Sequence, residues 1–151
     1  SSDLFTRCEI EKGKYGTCQI YFTVRKGDTW EEPKLMQLAA DSFTIGQPCL
    51  SSDGTELYFS SDMEGGQGGK DIWVSKYDKN KKEWSKPENL GKVINTPDDD
   101  MFPFITAEKT LYFSSKGHIG MGGLDIFSAK RSGNGSKLWS NASPSKTARC
   151  C

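Results

Sequence analysis

Along this chain, short runs in which apolar and polar residues alternate return at a fixed distance. Leu57-Tyr58-Phe59-Ser60-Ser61 comes back as Leu111-Tyr112-Phe113-Ser114-Ser115, a numbering offset of 54, and Asp71-Ile72 comes back at the same offset as Asp125-Ile126. Alternation with period two is the pattern of half-buried strands. Each copy also carries a glycine pair, Gly68-Gly69 and Gly122-Gly123, and later a tryptophan followed by serine, Trp84-Ser85 and Trp139-Ser140. A fainter copy precedes them. Leu4-Phe5-Thr6-Arg7 lies at that same offset before Tyr58-Phe59-Ser60-Ser61, as Trp30 and Pro33 do before Trp84 and Pro87, while Ile20-Tyr21-Phe22-Thr23 precedes Ile72-Trp73-Val74-Ser75 at an offset of 52. A repeat of this size predicts one supersecondary unit per copy, stacked on its neighbours because it cannot bury its apolar face alone.

Within the clearest unit, β-prone runs at 47–50 and 56–60 flank Ser51-Ser52-Asp53-Gly54, whose Asp and Gly supply turn chemistry and predict a hairpin. A glycine-rich loop at 62–70 then leads to a third strand at 71–77. After a charged turn at 78–83, Trp84-Ser85-Lys86-Pro87 opens a fourth, edge strand, and Asn89-Leu90-Gly91 to Asn95-Thr96-Pro97 links to the next unit. The second unit repeats this order with strands at 101–105, 110–114 and 124–130, a turn at 106–109 and a loop at 116–123. Only 29–40 hints at helical spacing, and Pro33 together with its alignment on Trp84 to Ile94 argues for strand and linker. The expected fold is all-β, a partial β-propeller of about two and a half four-stranded antiparallel blades. Its divisions are a partial blade and linker at 1–43, a blade at 44–97, an incomplete blade at 98–140, and a disordered or aberrant tail at 141–151.

Composition adjusts this picture modestly. Twenty basic and twenty acidic residues cancel, so summed charge gives no attraction to nucleic acid or an anionic membrane surface. The apolar share is 34%, but aromatics reach 11% and cluster at the repeating positions, which suits short strands rather than disorder. No run approaches the roughly 20 apolar residues of a membrane-spanning helix, and Ser1-Ser2-Asp3-Leu4 lacks the regions of a signal peptide. The five cysteines, Cys8, Cys18, Cys49, Cys150 and Cys151, show no Cys-x-x-Cys spacing, and the odd count favours free thiols. Cys8 and Cys18 flank a hairpin loop and can pair only if the protein occupies an oxidising compartment.

Met101-Phe102-Pro103-Phe104-Ile105, Leu111-Tyr112-Phe113-Ser114-Ser115, Gly117-His118 and Gly120-Met121-Gly122-Gly123-Leu124-Asp125-Ile126-Phe127 resemble the WD40-like β-propeller repeats of outer-membrane protein A family lipoproteins of Bacteroidetes-type bacteria. Pro48-Cys49-Leu50-Ser51-Ser52-Asp53-Gly54 with Leu57-Tyr58-Phe59-Ser60-Ser61-Asp62 is similar to the Ser-Pro-Asp-Gly hairpin of TolB-like propellers, with Ser52 in place of the usual proline. Asn89-Leu90-Gly91 and Ile94-Asn95-Thr96 resemble that family's inter-blade linker. The resemblance covers about residues 4 to 130, and after Trp139-Ser140 the sequence departs from the family's linker pattern. It implies a periplasmic module associated with the outer membrane, without a membrane span of its own. The implied role is non-catalytic binding of other envelope proteins, in settings that include type IX secretion or peptidoglycan anchoring through domains outside this sequence. No cofactor or metal is implied. The residues carrying the signature are Leu57, Tyr58, Phe59, Ser60, Asp71, Ile72, Trp84, Phe102, Pro103, Leu111, Tyr112, Phe113, Ser114, Asp125, Ile126 and Trp139.

Other chemistry finds less support in the residues. Gly65-Gly66-Gln67-Gly68-Gly69-Lys70-Asp71 lacks the Gly-Lys-Ser/Thr ending of a phosphate loop and leads into a strand, which argues against nucleotide binding. Asp98-Asp99-Asp100, and Asp62 with Glu64, offer oxygens to calcium but lack an Asp-x-Asp-x-Asp-Gly loop, so the triplet reads as a solvated linker. Asp71 and Asp125 are expected to accept from glycine-loop amides. His118 is the single histidine and no Gly-x-Ser-x-Gly elbow exists. Asp28-Thr29-Trp30 and Ser52-Asp53-Gly54 echo sialidase Asp boxes without their full order. Phe59, Trp73, Phe102, Phe104, Phe113 and Phe127 are expected in the core between blades, and Trp30, Trp84 and Trp139 on outer strands as half-exposed residues. The alternatives kept beside the scaffold are a propeller within a glycan or peptide hydrolase and a carbohydrate-binding module. An open set of blades also predicts uncovered apolar faces, hence dimerisation, aggregation or looseness of the isolated chain.

Overall fold

A computed structural model describes residues 2–11, 14–133 and 138–145. Among these residues the chain is all-β and holds no helix, and so none long and apolar enough to cross a membrane. Three antiparallel sheets follow one another along the sequence. The first contains β1 (Ser2–Glu11), β2 (Lys14–Lys26), β3 (Thr29–Trp30) and β4 (Lys34–Leu35). The middle sheet contains β5 (Ile45–Leu50), β6 (Glu56–Ser61), β7 (Asp71–Asp78), β8 (Glu83–Trp84) and β9 (Glu88–Asn89). The third contains β10 (Asp100–Ile105), β11 (Thr110–Ser115), β12 (Asp125–Lys130) and β13 (Ser143–Pro144).

The middle and third sheets share a path, β5-β6-β7-β8 and β10-β11-β12-β13, and the first runs β1-β2-β3. Its register makes β1 the counterpart of β6, and among the described residues no strand of it corresponds to β5. The fourth strand of the middle sheet is split, because Pro87 cannot donate to the ladder; β8 and β9 pair separately with β7. The recurring serine after each tryptophan fills the gap. Ser85 Oγ accepts the Lys76 amide at 3.0 Å, and Ser140 Oγ accepts the Lys130 amide at 2.9 Å.

Alternation along the strands puts two rows of side chains on opposite faces, and the sheets pack through those faces. Leu57, Phe59 and Trp73 of the middle sheet meet Ile20, with Leu4 and Phe22, of the first. Tyr58, Ile72 and Val74 point the other way, against Ile105, Leu111, Phe113, Phe127 and Ala129 of the third. Every residue of β6 is therefore buried, whereas in β11 burial alternates. Fully burying one such apolar side chain stabilises by about 1.5–3 kcal/mol, so these two rows are the main cohesion of the molecule.

Several expectations are corrected. Cys8 and Cys18, partners across the β1–β2 ladder, form a disulfide rather than two free thiols; Cys49 remains a free thiol, and Cys150 and Cys151 lie outside the described residues. Strand register brings the two sulfurs together, which spacing alone does not reveal. Ser143–Pro144 pairs with β12, so regular structure continues into the expected tail; the rest of that tail, 146–151, lies outside the described residues. Asp98-Asp99-Asp100 is a structural seam rather than a solvated run. The Gly69 amide donates to Asp98 O at 3.3 Å, the Asp100 amide to Lys70 O at 2.6 Å, and the Lys116 amide to Asp99 O at 3.0 Å. Finally, Phe102 and Phe104 are 54% and 59% exposed instead of lying in a core. A bulge between Met101 and Phe104 gives Phe102 a φ of 56°, and the matching bulge in β5 gives Gln47 the same value. Phe104 then falls on the face of the third sheet that no other sheet covers among the described residues.

Candidate interaction surfaces

The signature residues divide by strand face. Leu57, Phe59, Leu111 and Phe113 are buried against the preceding sheet, and Tyr58 and Ile72 against the following one. Tyr112 and Ile126, their counterparts in the third sheet, sit with Ser114 on its open face, where Ile126 is 44% exposed. Ser60 Oγ donates to Gln47 Oε1 across β5–β6. Pro103 is buried within the bulged strand. Trp84 packs on Tyr77 with ring centroids 5.2 Å apart, and Trp139 lies edge-on to Tyr58 at 6.4 Å; both are partly buried, whereas Trp30 is exposed.

Asp71 and Asp125 hold the glycine loops. Asp71 Oδ2 accepts the Gln67 amide and, at 3.1 Å, the Asn89 Nδ2, while Asp125 Oδ2 accepts the Met121 amide at 2.6 Å and the Gly122 amide at 3.2 Å. Gly66 and Gly120, at matching positions, run so close to these carboxylates that a Cβ on either would collide with Oδ2. The loop length repeats because the carboxylate spans it. The linker is held by similar means. Asn95 is buried and occupies both backbone groups of Ile72, its Oδ1 accepting the amide at 2.8 Å and its Nδ2 donating to the carbonyl at 2.9 Å, as a neighbouring strand would.

His118 Nε2 donates to Ile94 O at 2.8 Å, and its ring packs on Phe127 and Phe113 with centroids 5.0 and 5.7 Å away. Its imidazole serves packing and the linker. Among the described residues no group of three or more His, Cys, Asp or Glu side chains gathers as a metal site. Asp99 accepts the Lys70 amide at 3.1 Å and pairs with Lys116 at 2.7 Å; the Lys116 hydrogen bond and then the Lys70 amide hold its carboxyl below the usual range. Asp100 is fully buried where β5 has Ile45. Burial pushes its carboxyl up, against hydrogen bonds from Ser115 and Thr96, and its Oδ1 has no partner.

One cluster escaped the sequence reading. Arg131 Nη1 donates to Glu56 Oε1 at 2.7 Å, to Oε2 at 2.8 Å and to the Tyr58 hydroxyl at 3.2 Å, tying the third sheet to the middle one. Lys109 Nζ adds contacts to Glu56 at 3.5 Å and Asp53 at 3.4 Å. Burial alone would push the Glu56 carboxyl up, but Arg131, then Lys109 and the Tyr58 hydroxyl, outweigh it and hold the carboxyl below the glutamate range. Burial and then the neighbouring Glu56 charge drive the Tyr58 phenol far up. The available signal was a departure from the repeat: Arg131 stands where the preceding copy has Tyr77, and Lys109 where it has Thr55. These groups form a seam between sheets, with every charge matched.

Besides the open face of the third sheet, two features mark the surface. A groove of about 600 Å³ between the first and middle sheets is lined by Leu4, Phe22, Met36, Leu38, Tyr77 and Trp84. In the loop at 116–123, Ile119 and Met121 are almost wholly exposed. No protein-family model matches the chain, and no curated protein matches it.

Proposed function

We propose that the three sheets are blades of a partial β-propeller and that the chain is a non-catalytic protein-interaction module of a bacterial cell-envelope complex. The observation that carries this reading is the double burial of the middle sheet, whose two faces are covered by sheets of like register. A unit that needs a similar neighbour on each side belongs to a repeat array, and arrays of four-stranded sheets that recur every fifty-odd residues are built as propellers. The motif resemblance to outer-membrane protein A family lipoproteins supports the envelope setting. So does the Cys8–Cys18 disulfide, since such bonds persist in oxidising compartments such as the periplasm.

Binding falls to the loops, which are free to vary on a rigid scaffold. Ile119 and Met121 give the loop at 116–123 an exposed apolar tip that suits a protein partner. Cross-linking in the envelope fraction of cells that make the full-length protein is expected to capture a fixed partner, and Ile119→Ser with Met121→Ser to remove it. Turnover of glycan or peptide substrates by the full-length protein would refute the scaffold. A second reading, a carbohydrate-binding module, is favoured by Trp84 and Tyr77 beside the groove. Glycan binding lost on Trp84→Ala would select it.

A further inference from the structure

The two contacts between sheets follow one scheme, and its two unmatched halves lie on the surface. The middle sheet meets the third through Gln47, Cys49, Tyr58 and Ile72. Gln47 Oε1 accepts the Phe102 amide at 3.0 Å, Cys49 Sγ accepts the Ile105 amide at 3.5 Å, and Tyr58 and Ile72 enter the shared core. At the matching positions the third sheet carries Phe102, Phe104, Tyr112 and Ile126. Phe104 and Tyr112 are register partners on the open face, and Ile126 lies on the same face beside Ser114. Each position that makes contact in the middle sheet is repeated in the third, with phenylalanines in place of Gln47 and Cys49, on a face that no other sheet covers among the described residues.

The other half lies at the far end. Phe59 and Trp73 in the middle sheet, and Phe113 and Phe127 in the third, are the register-paired rings buried against the preceding sheet. Their counterparts in the first sheet are Phe5 and Tyr21, also register partners, stacked at 6.1 Å and half-buried on that sheet's outer face. We infer that the first sheet of a second copy of this chain docks on the third sheet, with Phe5 and Tyr21 of one copy against Phe104, Tyr112 and Ile126 of the other. The inference rests on the repeat reading of the fold and not on the envelope role. Because the two faces differ, the contact is head-to-tail: each copy offers one face of each kind, and a chain of copies grows until it closes into a ring. A formal net charge of zero sets no long-range repulsion between copies.

Sedimentation velocity of the whole oxidised chain tests it. The wild type is expected to move, with rising concentration, to species of at least twice the monomer mass. Phe104→Asp with Ile126→Asp blocks one face, and Phe5→Ser with Tyr21→Ser blocks the other. Each variant alone is expected to stay monomeric, and an equimolar mixture to form a dimer that grows no further. Circular dichroism checks that both variants fold; Ile126→Ser and Tyr21→Ser replace any that do not. Self-association by either single-face variant overturns the inference, since it would mark a symmetric contact. So does a mixture without the dimer, or a wild type that remains monomeric. Those outcomes leave the repeat reading standing, because its failure would show inside the monomer, as a middle sheet that melts separately from its neighbours.

Discussion

The contact between the first and middle sheets is open and carries no ion pair among the described residues, its cross-sheet polar bond being that of the Gln47 amide to Thr6 Oγ1 at 2.9 Å, whereas the contact between the middle and third sheets is closed by charge. Tyr77 and Trp84 occupy in the middle sheet the places of Arg131 and Trp139 in the third. In the closed contact Arg131 reaches Glu56 and Trp139 covers Tyr58, leaving only about 60 Å³ beside them. In the open one Tyr77 and Trp84 stack on each other, and about 600 Å³ is left beside Leu4 and Phe22. The repeat sets where sheets meet, and one substituted position, Tyr77 against Arg131, together with where the retained tryptophan packs, decides whether the meeting leaves a groove. The closed side carries a cost of its own, because desolvating Glu56 and Arg131 is repaid only while both remain.

The largest expected effect tests whether the apolar parts of the two contacts are equal. Phe59→Ala and Phe113→Ala each remove a fully buried ring and should cost about 3–5 kcal/mol in urea denaturation. A gap of more than about 2 kcal/mol between them would show that one contact dominates. Next in size is the seam itself. Glu56→Gln leaves the Arg131 charge buried without its counter-charge and should cost about 3 kcal/mol, while Glu56→Met combined with Arg131→Leu should cost less than that single change. Additive costs would mean the pair is not coupled.

A smaller effect marks the open side. Replacing Cys8 and Cys18 by serine opens a closure of sequence separation 10 and should cost about 2 kcal/mol, read as a lowered melting temperature. The smallest effect concerns acid. Glu56 is held below its ordinary value, so its contribution is complete above the ordinary glutamate range and is lost as pH falls through the lowered value. Asp100 is pushed up, so its penalty is present above the raised value and is relieved as pH falls through it. Asp100→Asn is expected to lie within about 1 kcal/mol of wild type at pH 7 and to remove that relief on the acid side. A pH–stability curve unchanged by the variant would place the titration elsewhere.

Where a residue's role depends on near neighbours in the chain, it was legible beforehand. Asp71 and Asp125 each precede a strand and follow a glycine loop, so their bonds to loop amides could be foreseen. The same holds for the Ser51-to-Gly54 hairpin, where Asp53 accepts from Ser51 and Thr55. The pairing of Glu56 with Arg131 spans a sequence separation of 75 and belongs to no motif. The exposure of Phe104 could not be foreseen either, since its alternation with Ile105 looks the same whether or not another sheet follows.

Period and alternation alone determined that this chain is all-β, that its strands return at a constant spacing, and which side chains of each strand share a face, because these follow from backbone geometry and local turns. Which faces are covered, which cysteines are joined and which charges are matched were decided only by tertiary structure. A strand pattern states that a side is apolar, but burial is a relation between two surfaces, and the second surface comes from residues far along the chain.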